Sequence, residues 1–254
     1  MSLVAVVGEC STTTAVALAA TWPAGERVVV AELDPGGGSL AAWLDVPRSP
    51  NLSELVASAE AGSWPAIEAS CQHTASGVDV LVAPVRAVEA GAAVAAAIPT
   101  VVPVLAALDG VTVIADGGLV GGVLTSVMGA AAAVVLVHRQ RAGSAAAAAV
   151  ALERLGHVVD LLTLRSIPFA VALIGEDPYR ADEVGAFLAT EDVVPIAVDT
   201  WAAAVLAGRA GSAHRLRRSR LLRTTGELSR RLAAQLRESH HLVDWGEPMT
   251  EVAE

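Results

Sequence analysis

Three short segments of this chain carry residue types that could do chemistry together. Gly8-Glu9-Cys10-Ser11-Thr12-Thr13-Thr14 follows the apolar run Val4–Val7, Glu32-Leu33-Asp34-Pro35-Gly36-Gly37 follows Val28–Ala31, and Asp116-Gly117-Gly118 ends the run Val111–Ala115. A hydroxyl-rich turn that enters a helix offers backbone N–H groups and a positive dipole end to a phosphate. A hydroxyl in that turn can ligate Mg²⁺, and two acids from neighbouring strands could orient the ion and an attacking water. Each segment alone has a plainer reading. Thr12-Thr13-Thr14 could cap a helix, and Asp34 and Asp116 could be ordinary strand-end acids. The coincidence of three such strand ends favours descent from a nucleotide site, because ligands of open α/β sheets bind at the carboxyl ends of strands.

The elements that must position these residues follow from periodicity. Val4–Val7, Arg27–Asp34, Val78–Pro84, Val111–Asp116, Ala133–Val137, Ala170–Ile174 and Val194–Val198 read as buried strands. Helical stretches are expected over Ala15–Ala20, from a Ser39 cap to Leu44, over Val88–Leu108 with a break near Pro99 and Pro103, and over Ser144–Leu155. Strand and helix alternate, so the fold class is α/β: a single domain with a mostly parallel sheet and helices on both faces. The uncharged runs Ala90–Leu108 and Leu119–Val137 are broken by proline or glycine and are rich in alanine. They read as buried helix and strand rather than membrane spans.

Composition narrows the function. The 254 residues carry 17 basic residues of the Lys and Arg types, and every one is arginine. Residues 1–208 hold 8 arginines against 21 acids, 209–237 hold 9 arginines against Glu227 alone, and 238–254 hold five acids and no arginine. The expected organisation is therefore a domain over 1–210, an Arg-rich C-terminal helix over 211–238 and an acidic tail over 239–254. Leu221, Leu228, Leu232 and Leu236 share one face of that helix, which reads as packing onto the domain with the arginines in solvent. Contact with an anionic membrane or with DNA through Arg209–Arg237 is the competing reading. No aromatic residue interleaves the block, so base stacking is not supported. Cys10 and Cys71 are far apart and have no metal spacing, consistent with a reducing, cytoplasmic compartment. No histidine stands beside Cys10, which argues against a catalytic thiol. The adjacent pair His240-His241 cannot share a helix face and does not read as a zinc site. No G-x-G-x-x-G follows the first strand, which argues against a dinucleotide fold.

The order and spacing of the three strand ends resemble the ParA/MinD group of deviant Walker A P-loop ATPases over roughly residues 3–210. The loop is most similar to a degenerate, lysine-poor actinobacterial branch reading G-x-x-x-T-T-T-A. Matched on the threonine pair, Val7 stands at the family's signature-lysine position and Thr12 at its P-loop lysine. Glu9 and Ser11 replace glycines, while Gly8 is kept. Thr13 stands at the Mg²⁺-ligating threonine, Asp34 at the hydrolytic aspartate and Asp116 at the Walker B aspartate. The resemblance implies ATP or ADP as ligand at Gly8–Thr14, with Mg²⁺ at Thr13, Asp34 and Asp116. It places Asp177-Pro178-Tyr179 and Asp199-Thr200-Trp201 near the adenine.

The departures point away from an ordinary ATPase. Loss of a positioned charge at a transferring phosphoryl group costs on the order of 10²–10³ in rate, and no lysine exists elsewhere to replace it. Glu9 sets a negative charge where phosphates would sit. The expectation is a pseudo-ATPase, with vestigial Asp34, that positions or scaffolds a cargo such as a chromosome, a septum or a pilus or secretion assembly. The atypical ParA-like proteins of Tad-type pilus systems are the precedent that the resemblance supplies. It would act through protein partners, with a homodimer, if formed, independent of nucleotide, in the cytoplasm or peripherally at a membrane or pole. The alternative is a weak Mg²⁺-dependent ATPase or nucleotide switch in which an arginine, with Arg139 and Arg141 the nearest in sequence to a strand end, or a partner replaces the lysines.

Overall fold

In the first strand, β1 (Leu3–Gly8), Leu3, Ala5 and Val7 join one buried cluster while Val4 and Val6 join another. The same alternation recurs in β2 (Arg27–Glu32), β5 (Val111–Asp116), β6 (Ala133–Arg139) and β7 (Phe169–Ile174). Successive side chains of a strand point to opposite faces, so a strand that is apolar at every position must be covered on both. The computed structural model describes residues 3–23, 25–74, 77–119, 124–140, 145–175, 177–209 and 211–244, without the side chains of 124, 125, 213 and 238–244.

With β3 (Gln72–His73), β4 (Asp79–Leu81) and β8 (Val193–Ile196), these strands form one eight-stranded sheet of order β3-β4-β2-β5-β1-β6-β7-β8. Every pairing is parallel except that of β3 with β4. The expected single α/β domain with a mostly parallel sheet is therefore the observed one. β1 lies between β5 and β6, and β5 lies between β1 and β2. This order brings all three chemistry-bearing strand ends side by side.

One face is covered by α3 (Leu52–Ala57), α4 (Trp64–Ala69), α5 (Ala87–Ala97), α6 (Val101–Ala107), α7 (Leu124–Ala130), α8 (Ala145–Leu164) and α9 (Ala181–Leu188). The other is covered by α1 (Ser11–Thr21), α2 (Leu40–Trp43), α10 (Thr200–Leu206), α11 (Ala213–Leu216) and α12 (Arg220–Asp244). The run 90–108 is a bent pair of helices, α5 and α6, meeting at 59°, with Ala90, Ala93, Val94, Ala97, Val101, Val102 and Leu105 buried. Among the described residues no single helix is long and apolar enough to cross a membrane.

α12 spends its apolar face on α1. Leu221, Leu228, Leu232 and Leu236 are buried, together with Leu222 and Ala233. Small residues let the two helices approach: the Ser229 hydroxyl lies 2.9 Å from the Thr21 hydroxyl and 3.2 Å from the Leu18 carbonyl. The exposed side keeps Arg217, Arg218, Arg220, Arg223, Arg230 and Arg231 in solvent, with Arg231 paired to Glu227 at 2.6 Å. Arg215 stacks over Trp201, 4.7 Å from the ring centroid.

Candidate functional site

The turn between β1 and α1 contains only Glu9 and Cys10. β1 stays paired with β6 as far as Gly8 opposite Val137, and the Gly8 N–H donates to the Gly118 carbonyl at 2.7 Å. Gly8 has φ +121°, and a Cβ there would fall 2.1 Å from the Val137 carbonyl oxygen. Only glycine fits, and it serves to close the strand end. Cys10 adopts the left-handed conformation (φ 67°) and precedes α1 without a side-chain cap. The residues expected to cradle a nucleotide are thus divided. Gly8 belongs to the strand, Glu9 and Cys10 form the turn, and Ser11, Thr12, Thr13 and Thr14 are already the first turn of the helix. Val7, the counted signature position, is inside the strand and buried.

The acidic half is assembled differently. Asp34 Oδ1 accepts the Gly36 N–H at 2.7 Å, and the Asp34 carboxylate occupies the space where a Gly118 Cβ would be, its three atoms 2.2–2.4 Å from that point. Gly118 N–H donates to Asp116 Oδ1 at 3.2 Å. A glycine two residues beyond β5 therefore allows Asp34 and Asp116 to meet. Asp116 has no solvent exposure, and its Oδ2 is buried without a hydrogen-bond partner among the described residues. Burial pushes its carboxyl above the ordinary range, and the Ser11 and Thr12 hydroxyls and the Gly118 N–H only partly hold it back. Burial also raises Asp34; the Gly36 N–H opposes the shift and the Asp116 charge adds to it. The hydroxyls facing Asp116 are thus those of Ser11 and Thr12.

Thr13 faces elsewhere. With Cys10, Thr14, Arg139, Ile196 and Asp199 it lines a cavity of about 160 Å³ at the ends of β6, β7 and β8. The Arg139 Nη1 lies 4.0 Å from Cys10 Sγ, and Arg141 lies outside the described residues. Asp199 Oδ1 accepts the Ala202 N–H at 2.9 Å and so caps α10. His138, at the end of β6, is pushed down by burial, with Glu9 nearby opposing the shift.

Two residues that periodicity could not single out organise the surroundings. Gln140 is buried just beyond β6. Its side chain donates to the Gly175 and Tyr179 carbonyls at 3.1 and 2.7 Å and accepts the Tyr179 N–H at 3.0 Å, fixing the turn after β7. Glu32, fully buried at the end of β2, accepts three backbone N–H groups. The expected Ser39 cap of α2 is replaced by one of these contacts: Ser39 makes no side-chain cap, and the Ser39 and Leu40 amides turn to Glu32 instead. Nothing local in the sequence signals either role. Cys71 is buried, and burial pushes its thiol up to about 12.

The arrangement can be tested against the ligands that its fold suggests. A hard divalent cation fits the oxygen donors, because Asp116 Oδ2 is buried and unsatisfied beside Asp34 and two hydroxyls. Among the described residues no group of three or more His, Cys, Asp or Glu could hold a metal, so such an ion would lean on hydroxyls and water. For a triphosphate the turn lacks the usual charge: Gly8 is closed against Val137, Glu9 brings negative charge, the chain has no lysine, and the cation beside the turn is Arg139.

No protein-family model and no curated protein sequence matches the chain. Solved structures do. A ParA family ATPase from Chlorobium tepidum matches with TM-score 0.66 and 16% identity, covering 90% of this chain and 97% of its own. The septum site-determining protein MinD of Pyrococcus horikoshii, complexed with Mg-ADP, matches at 0.67 and 17%, covering 91% and 95%. A cobyrinic acid a,c-diamide synthase from Mycobacterium smegmatis, with bound ATP analogue and magnesium, matches at 0.60 and 20%, covering 94% and 97%. Over nearly its whole length, this chain has the fold of the ParA- and MinD-type P-loop ATPases.

Proposed function

We propose that this protein is a ParA/MinD-like pseudo-ATPase that positions or scaffolds a cellular cargo without a hydrolytic cycle. The observation that carries the reading is the contrast within one site: the carboxylates are assembled, while the phosphate cradle is reduced to Glu9 and Cys10 with Gly8 held in the strand. Catalysis of phosphoryl transfer is almost wholly positioning and charge stabilisation. A turn with Glu9 and no lysine is poorly supplied with both. The fold is shared with the septum site-determining protein MinD, which supports a positioning role in general; the proposed cargo is a chromosome, septum or pilus or secretion assembly, and the proposed location the cytoplasm or, peripherally, a membrane or pole. Asp116, Asp34 and the hydroxyls of Ser11 and Thr12 would hold Mg²⁺, which would supply a local positive charge. The test is ATP turnover by the purified protein with and without Mg²⁺. The reading expects none above background, and stoichiometric Mg²⁺-dependent release of phosphate overturns it.

Protein partners are expected at the rim of the same strand ends, where Val85, Val88 and Leu119 are 49%, 86% and 67% exposed. Among the described side chains α12 offers anionic surfaces its outer arginines, since Leu221, Leu222, Leu228, Leu232 and Leu236 are buried. A salt-sensitive shift of plasmid DNA or sedimentation with anionic liposomes checks that contact.

One observation favours a second reading, a nucleotide switch. Arg139 stands beside the turn and would supply charge in place of lysine. Under that reading Arg139→Ala abolishes measurable ATP binding; if no binding exists to abolish, the switch is excluded.

A further inference from the structure

The loop that carries Asp34 is tied down by a carboxylate that the proposed function does not use. Glu32 Oε1 accepts the N–H groups of Ser39 (2.5 Å) and Leu40 (2.8 Å), and Oε2 accepts that of Ala83 (2.8 Å). These amides belong to two separate segments, the entrance to α2 and the chain just beyond β4. The backbone seals the same junction. Gly38 N–H donates to the Pro84 carbonyl at 2.7 Å, while Leu52 N–H at the start of α3 holds the Val82 carbonyl at 2.8 Å. A Cβ on Gly38 would lie 2.3 Å from the Ala83 oxygen and 2.8 Å from Glu32 Oε2, so this close approach needs glycine. α2 is four residues long, too short to persist alone.

We propose that Glu32 is a lock: it fastens the segment 33–40 to the segment 82–85, so that the Asp34 loop opens only when the domain unfolds. The inference rests on the reading that the chain works without a hydrolytic cycle, and it says how that state is kept. A loop that moves with its ligand must be able to open locally at small cost. Opening this one would strip three amide donors from a carboxylate with no solvent exposure. It would also leave the Ser39, Leu40 and Ala83 amides unpaired, and charge-assisted hydrogen bonds of this kind are the strong ones. The consequence is a permanent arrangement: Asp34 stays against Gly118, and the chain around Val85 is displayed in one conformation.

Amide hydrogen exchange of the full chain at increasing denaturant tests this. In the wild type the Ser39, Leu40 and Ala83 amides are expected to exchange through global unfolding, with the denaturant dependence of Val113–Ala115 in β5. Glu32→Gln keeps the size of the side chain but turns an NH₂ group toward amide donors. It should speed exchange at those three amides by about tenfold or more and make them open separately from β5. Wild-type exchange through a local, denaturant-insensitive opening overturns the lock. So does a Glu32→Gln protein in which the loop and β5 lose protection together, because that is the mark of an ordinary core residue. Should the variant fail to fold, the wild-type denaturant series decides alone. The outcome is separable from the functional reading: Mg²⁺-dependent ATP turnover with a locked loop contradicts only the pseudo-ATPase, and a locally opening loop without turnover contradicts only the lock.

Discussion

The turn after β1 and the loop after β2 stand on either side of β5, yet they have been treated differently. The first is two residues long, ends in the left-handed Cys10 and holds Gly8 in the sheet. The second runs from Leu33 to Ser39, keeps its acid at Asp34 and is fastened from inside by Glu32. On the first side the lysines are absent and Glu9 stands in the turn, whereas on the second Asp34 and Asp116 are brought together around Gly118.

The largest effect on this comparison is expected from Gly8→Ala. Positive φ and a Cβ against the Val137 oxygen should cost about 3 kcal/mol or more, read from denaturant unfolding. A cost below about 1 kcal/mol would mean that the turn is loose enough to form another shape. Leu228→Ala, at a side chain with no exposure on the α1–α12 contact, should cost about 2–4 kcal/mol and marks how firmly α1, and with it the turn, is seated.

Asp116→Asn addresses the acidic side. Burial raises the folded-state pKa of Asp116, so the folded chain binds more protons than the unfolded one. Stability is therefore lost as pH rises from the ordinary carboxylate range through the raised folded value, and the full penalty remains at neutral pH. In a chelating buffer the variant should be about 1–2 kcal/mol more stable than wild type at pH 7, with the gain fading as pH falls through the raised folded value of Asp116 and gone below about 4. Millimolar Mg²⁺ should stabilise wild type and not the variant. Equal stability of the two proteins across this range would mean that the Asp116 carboxylate is compensated after all. The smallest effect is expected from the double change Glu9→Gly and Thr12→Lys, which returns two of the family's residue types, one in the turn and one at the start of α1. It should leave ATP turnover at background, because Val7 still stands at the signature-lysine position and Gly8 stays closed against Val137; turnover restored by these two side chains alone would show that the turn is competent.

Much of the scaffold was legible in the sequence. Apolar β-branched runs located seven of the strands, since a parallel sheet covered on both faces leaves continuous apolar stretches. The short α3, α4, α7, α9 and α10, and the two-residue β3, were not legible, because few residues set their period. α8 extends to Leu164, past the expected Leu155, since Gly156-His157 reads as a break in sequence but lies within the helix. The last strand ends at Ile196 and leaves Val198 58% exposed. For the site, Asp34 and Asp116 were visible as strand-end acids, and the structure brings them together. Matching along the threonines places Thr13 at the metal; in the structure the hydroxyls that face Asp116 are those of Ser11 and Thr12, while Thr13 lines the neighbouring cavity. The work of Glu32 and Gln140 depends on amides distant in sequence and leaves no local signature.

The central claim is that this fold holds no working triphosphate site, and titration calorimetry of the purified full chain with ATP and with ADP, in the presence and absence of Mg²⁺, tests it most directly. The account predicts no binding tighter than about 100 μM, or about −5.5 kcal/mol, for either nucleotide; Mg²⁺-dependent binding of ATP tighter than that would contradict it.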